Sequence, residues 1–198
     1  LRQEIDNSGI VNIDGFPIFI LLKMLGYDVT ERVTGVDLFE ELIKLCAQKG
    51  YRPYFFGATT QVADAMVFIF KNKYPALKIA GYRNGYFSTD EEEKIALEIK
   101  ESKADMLFLG IPSPKKEIFI DKYTKIMDIP FTMGVGGSFD IAAGKTKRAP
   151  KWIQKIGFEW FYRICQEPKR MWKRYAKTNP VFIWMAFKVL LKKILKLS

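Results

Sequence analysis

Apolar and polar positions alternate along this chain in two rhythms. Residues 36–49 (VDLFEELIKLCAQK) place apolar side chains at helical spacing and close on Gly50, a helix stop. Residues 51–57 (YRPYFFG) are short and aromatic, like a buried strand. The pattern then predicts a helix over 60–74, a strand over 77–82 (LKIAGY), and a helix over 89–103 introduced by Ser88, Thr89, Asp90 and three glutamates. A fully apolar strand over 106–111, a helix over 113–127 and a strand over 129–135 that runs into glycines complete the series, and LRQEIDNSG at the start reads as helix. Strands alternating with helices through short links predict an α/β fold: a Rossmann-like parallel sheet with helices on both faces. Ligands of such sheets bind beyond the carboxyl ends of the strands, here Gly57–Thr59, Arg83–Gly85, Gly110–Pro112 and Gly134–Ser138.

Charge divides the 198 residues. Residues 1–144 hold 17 Lys and Arg against 20 Asp and Glu, a net of −3; residues 145–198 hold 15 against 2, a net of +13. The expected organisation is therefore an α/β catalytic or binding domain over 1–144 and a basic helical appendage over 145–198. No histidine is present, which removes the commonest general base and zinc ligand. Cys46 and Cys165 lie too far apart in sequence for a metal or redox motif and suit a reducing compartment. No Asp-x-Asp pair stands ready for a divalent cation.

Five places carry candidate chemistry. GVGGSFD (Gly134–Asp140) follows a strand and precedes a helix; Gly136 and Gly137 make it either a tight turn or a loop whose N–H groups hold a phosphate. It matches no dinucleotide or P-loop fingerprint. In GIPSPKKE, Ser113 can cap a helix, Pro114 suits its first turn, and Lys115 or Lys116 can meet a phosphate or simply face solvent. Tyr86, in RNGYF, is a stacking platform for a base or sugar, or core packing after a turn. In ERVTG, Thr34 is a candidate cap and Arg32 a candidate phosphate ligand or surface charge. Asp14, in VNIDGFP, is a turn former or a reagent.

The basic end is the loudest compositional signal. From Pro168 a helix carries Arg170, Lys173, Arg174 and Lys177 on one face, with Trp172 and Tyr175 between them. Beyond Asn179–Pro180, Lys188, Lys192, Lys193 and Lys196 fall on one arc and the large apolar side chains point away from it. The longest uninterrupted apolar stretch, Val181–Phe187, is far short of the ~20 residues that span a bilayer. The segment reads as interfacial, apolar face in lipid and lysines on anionic headgroups, or as a helix packed on the body or on a second subunit. No nucleic-acid-binding motif accompanies the charge, so no nucleic-acid partner is expected.

Taken together, NIDGFP, ERVTGVDLF, FFGAT, NGYF, GIPSPKKE and GVGGSFDIAAGKTKRAPKW…EWFYRICQEPKR resemble the WecG/TagA/CpsF glycosyltransferases over nearly the whole chain. Members of that family typically begin earlier, so the resemblance implies that a first strand and part of a substrate-contacting loop precede this sequence. It implies an inverting, metal-independent transfer of an N-acetylhexosamine-type sugar from a UDP-sugar to a polyprenyl-diphosphate-linked sugar at the cytoplasmic membrane face, feeding teichoic acid or capsule synthesis. No cofactor is implied. By the same resemblance Asp14 is the catalytic base. Arg32 and Thr34 fall in the ERV/TG motif. Gly57, Tyr86, Gly136, Gly137 and Asp140 belong with the nucleotide-sugar site. Arg163, Arg170 and Arg174 sit in an appendage that closes over the diphosphate. Lys116 stands where the family usually has glutamine. Chemically the assignment is coherent: inversion needs one base, which Ile13 and Phe16 are placed to desolvate, and positive charge or N–H groups on the departing nucleotide. A homo-oligomer remains compatible with the apolar appendage. The other reading is a nucleotide-sugar-binding module without transferase activity, recruited to anionic membranes.

Overall fold

A computed structural model describes residues 9–196, apart from the side chains of Arg170, Arg174 and Lys196. The helix expected over LRQEIDNSG thus lies largely outside the described residues. The chain forms two compact units: Gly35–Thr146 with the residues up to Val11, and Asn12–Thr34 with the chain from Lys147 onward.

The first unit is a four-stranded sheet of β1 (Pro53–Gly57), β2 (Gly81–Arg83), β3 (Met106–Gly110) and β4 (Phe131–Gly134), in the order β2-β1-β3-β4. Every pair is parallel. Alternation along the strands sends side chains to two faces. Phe55, Met106 and Phe108 enter a core with Phe39, Ile43 and Cys46 of α2 (Gly35–Lys49), Met66 and Phe70 of α3 (Thr60–Lys73), and Phe139 of α6 (Ser138–Ala142). Tyr54, Phe56, Leu107 and Leu109 enter the opposite core with Ile95 and Ile99 of α4 (Glu92–Glu101) and Phe119, Tyr123 and Met127 of α5 (Lys115–Met127). The α/β fold with helices on both faces is therefore observed as the sequence pattern predicts.

Three local differences have clear causes. The strand expected over 77–82 pairs only at Gly81–Arg83, because Gly81 already lies opposite Tyr54 and the residues before Ala80 run past the start of β1. Helix α5 starts at Lys115 with Pro114 at its N-cap, so Ser113 does not cap it; the Ser113–Pro114 peptide bond is cis. The helix expected from residue 89 opens with a 3-10 turn (Thr89–Glu91), where Ser88 and Glu91 form the anticipated capping box.

The second unit is helical: α1 (Phe16–Leu25), α7 (Lys151–Lys155), α8 (Glu159–Gln166) and α9 (Pro168–Lys196). The α9 helix runs through Pro180, which removes one backbone donor without ending it. Gln166 ties α8 to residue 147 in both directions: its Oε1 accepts from the Lys147 N–H at 2.9 Å, and its Nε2 donates to the Lys147 carbonyl at 2.8 Å. Lys193 donates to the Met24 carbonyl at 2.9 Å, where a cation complements the end of α1. Among the described residues no helix is long and apolar enough to cross a membrane.

Candidate active site

In the sheet unit, strand order reverses between β1 and β3: the chain leaves β1 towards β2 on one side and later builds β3 and β4 on the other. A crevice opens beyond the carboxyl ends at such a reversal. Glycines line that edge of the sheet here. Gly57 ends β1 with φ +148°, and a Cβ there would stand 2.5 Å from the carbonyl carbon of Gly110. A Cβ on Gly110 would stand 2.5 Å from the Phe139 ring. Two backbones thus meet with no side chain between them, and the Ala58 N–H closes the contact on the Gly110 carbonyl at 3.2 Å. Ala58 has φ +58°, so the chain turns sharply as it leaves β1.

The glycine loop after β4 lies on the same edge of the sheet. The Val135 N–H bonds the Leu109 carbonyl at 2.9 Å and the Ser138 hydroxyl bonds the Val135 carbonyl at 2.8 Å, which fixes both ends of the loop. Gly136 has φ +52° with open space where a Cβ would be, so conformation, not crowding, calls for glycine there. Gly137 is the N-cap of α6. Asp140 is half-buried, and its carboxylate meets the Lys145 ammonium at 3.0 Å.

The structure separates the two neighbouring lysines. Lys116 lays its stem across Gly134, where a Cβ would stand 2.6 Å from Lys116 Cε. Its ammonium pairs with Glu117. Burial alone would raise the Glu117 carboxyl; the bond from Lys116 and the residue's own backbone N–H outweigh it and hold the group below the ordinary carboxylate range. Lys115 instead donates to the Phe87 carbonyl at 3.0 Å, with its ammonium 3.4 Å from the centre of the Phe87 ring. Tyr86 stands 72% exposed just before Phe87.

In the helical unit, Asp14 is exposed, one residue before the Gly15 N-cap of α1. The desolvation expected from Phe16 is not there, because that ring packs elsewhere. A Cβ on Gly157 would stand 2.2 Å from Phe16 Cδ1, and the Arg32 guanidinium lies 6.0 Å from the Phe16 ring centre. Arg32 meets Glu159 at 3.5 Å, and the other Glu159 oxygen lies 3.9 Å from Arg148 Nε. Arg148 also donates to the hydroxyl of buried Thr34 at 3.1 Å. Two guanidiniums therefore share one carboxylate. Arg163, one turn beyond Glu159 on α8, has its Nε shielded from solvent with no hydrogen-bond partner among the described residues. The side chains of Arg170 and Arg174 lie outside the described ones.

Sequence reasoning missed Arg148 and Glu159. A signal existed for the latter: Glu159 is one of two acids among the residues from 145 onward. The Lys115 contact with Phe87 depends on tertiary placement and left no local trace. Among the described residues no three His, Cys, Asp or Glu side chains group as a metal site.

The chain is 33% identical over 170 residues to a Bacillus subtilis protein named N-acetylglucosaminyldiphosphoundecaprenol N-acetyl-beta-D-mannosaminyltransferase, covering 86% of this chain and 65% of the relative. A Bacillus spizizenii protein of the same name is 35% identical, over 81% of this chain and 62% of its own length. A Staphylococcus aureus protein, again of that name, is 29% identical over 92% of this chain and 70% of its own. The chain thus spans a little under two thirds of the two Bacillus relatives. The model of the glycosyl transferase WecG/TagA/CpsF family matches residues 1–196, and the chain belongs to that family.

Proposed function

We propose that this chain carries the transfer chemistry of a membrane-surface glycosyltransferase. It moves an N-acetylmannosamine-type sugar from a UDP-sugar to an N-acetylglucosamine held on a polyprenyl diphosphate. The family match over residues 1–196, with relatives named for that sugar and acceptor, is the observation that carries the reading. If the sugar is α-linked to its nucleotide, a β-mannosaminyl product requires inversion, a single displacement that needs one base and no covalent intermediate.

The nucleotide occupies the glycine-edged crevice at the reversal of strand order, with Gly57, Gly136, Gly137, Asp140 and Tyr86 around it. The backbone N–H groups of Gly136 and Gly137 and the Lys116 ammonium meet its phosphates, and charge placed on the departing diphosphate lowers the barrier. Asp14 takes the proton from the attacking hydroxyl. Its exposure means that substrate itself supplies the desolvation that makes it a useful base. Arg32, Arg163, Arg170 and Arg174 neutralise the lipid diphosphate, and Thr34 fixes the segment bearing Arg32 through Arg148.

The basic segment from residue 145 holds the enzyme on the cytoplasmic face of the membrane. Ile183, Trp184, Phe187 and Leu191 of α9 are exposed, and insertion in an anionic leaflet would cover them. The second reading, a binding module without transfer, is favoured by the open position of Asp14.

One experiment separates the two. In the full-length protein, with a synthetic lipid-diphosphate acceptor, Asp14→Asn should lower turnover by roughly 10²–10⁴-fold while UDP-sugar binding persists. Full turnover by that variant overturns the assignment of the base. UDP-sugar binding with no transfer by the unaltered protein would select the module.

A further inference from the structure

The loop from Asn84 to Ser88 is fixed at every residue except the one side chain that projects from it. Asn84 bonds the Thr60 hydroxyl at 3.3 Å and accepts from the Tyr86 N–H at 3.0 Å. The Gly85 N–H bonds the Ala58 carbonyl at 2.9 Å. The Phe87 ring packs on Phe56 and Phe119, with centroids 5.2 and 5.9 Å away. The Ser88 N–H bonds the Glu91 carboxylate at 2.8 Å. The Tyr86 ring, by contrast, makes no hydrogen bond or ring contact among the described residues and is 72% exposed. A backbone held this tightly around a bare aromatic ring is preorganised to present it.

We propose that Lys115 is the positioning residue of that surface. Its ammonium ties the Phe87 carbonyl to the start of α5 and caps the Phe87 ring, and so holds Tyr86 as a stacking platform for the planar base of a nucleotide. The proposal rests on the reading of Tyr86 as part of the nucleotide-sugar site. It gives Lys115 a different task from that of a phosphate ligand. A phosphate ligand acts through charge on the diphosphate. A strap acts through the ring, on a neutral nucleoside as much as on a charged nucleotide.

The test titrates the full chain with uridine, UDP and inorganic pyrophosphate, using Lys115→Met, Lys115→Arg and Tyr86→Ala, with Lys125→Met as a control for lost charge on the same helix. Lys115→Met should weaken uridine and UDP by one common factor, about three- to tenfold, and leave pyrophosphate unchanged. Lys115→Arg should restore most of the loss, and Lys115→Met should add nothing in the Tyr86→Ala background. A loss of pyrophosphate and UDP binding with uridine untouched makes Lys115 a phosphate ligand and overturns the strap. If Tyr86→Ala weakens uridine and Lys115→Met does not, the strap falls and the nucleotide site stands. If Tyr86→Ala leaves UDP binding intact, Tyr86 is no platform and the strap falls with it. If the unaltered chain binds neither uridine nor UDP, the nucleotide-site reading itself is wrong. Unfolding midpoints of the variants show that each is folded.

Discussion

Between Gly35 and Thr146, aromatic and aliphatic side chains close over both faces of the sheet, and Phe39, Phe55, Phe56 and Phe108 are fully shielded from water. In residues 12–34 and from Lys147 onward, the buried apolar side chains among the described residues are Ala149 and Met171, while Trp152, Phe161, Trp172, Trp184 and Phe187 are exposed. The first unit has a core of the kind that drives folding by removing apolar surface from water. The second carries polar ties, such as Glu159 to two arginines and Gln166 to Lys147, beside aromatic contacts such as Trp160 with Tyr175, and most of its large apolar side chains stay exposed. One region hides its large apolar side chains and the other exposes them, so substitutions of similar chemistry should have different consequences in the two.

The largest effect should come from Phe39. Its ring lies 5.0 Å from Phe108, 5.8 Å from Phe70 and 5.6 Å from Phe139, at the point where α2, α3 and α6 converge on the sheet. Phe39→Ala should cost about 3–5 kcal/mol in urea unfolding, enough to remove most of a typical domain's stability. Trp184→Ala, at a side chain 59% exposed on α9, should shift stability by less than about 0.5 kcal/mol while reducing binding to anionic vesicles. Equal destabilisation by the two substitutions would erase the distinction between the units.

How much of this was legible in the sequence follows the same divide. Strands β1, β3 and β4 announced themselves because each is a short apolar run ending at glycine, and α2, α3 and α5 because their apolar residues face one side. Helix α1 did not: FPIFILLKML has no polar face to set a period, and only Gly15 and Pro17 mark its start. Pro180 lies inside α9, since one lost backbone bond does not end a helix of 29 residues. In the site, the glycines were readable because they answer to local backbone conformation. Glu159, Lys115 and the exposure of Asp14 were not, because each depends on what a distant segment brings beside it. Asp14 shows this best, since its apolar neighbour Phe16 turns to Gly157 and Arg32 instead.

The two cysteines repeat the comparison within one residue type. Cys46 is fully buried with its sulfur 3.5 Å from that of Met106, and burial, assisted by the charge of Asp105, pushes its thiol up to about 11 from 9.0. Cys165 is exposed. Above pH 9 the unfolded chain loses the Cys46 proton while the folded chain keeps it, so the unfolded state gains and stability falls until the pH passes about 11. The loss attributable to Cys46 should reach about 2–3 kcal/mol, with no contribution below pH 9. Tyr54, raised first by burial, adds a decline of the same sign, so the measurement is the difference in alkaline slope between the unaltered chain and Cys46→Ala. Parallel slopes would mean that the thiol is already accessible to water in the folded unit. A thiol reagent at neutral pH gives the matching kinetic picture, modifying Cys165 at once and Cys46 only as the sheet unit opens.

A smaller loss than that of Phe39 or Cys46 tests whether polar ties hold the helical unit. Glu159 lies 3.5 Å from Arg32 and 3.9 Å from Arg148, and the three side chains are 28, 16 and 20% exposed. At those distances and exposures each pair is a weak interaction by itself. The arrangement matters more than either pair, because removing the carboxylate leaves two guanidiniums facing each other with less solvent than a surface charge enjoys. Glu159→Gln keeps the shape and removes the charge. It should cost about 1–2 kcal/mol at low salt, and part of that should return in high salt, where the repulsion between Arg32 and Arg148 is screened. Amide exchange is the measurement that locates the loss. Protection should fall in α8 and around Arg32 while β1 and β3 keep theirs. Unchanged exchange around Arg32 and α8 at low salt would mean that the carboxylate is a bystander, and that the helical unit owes its order to contacts other than its shared charges.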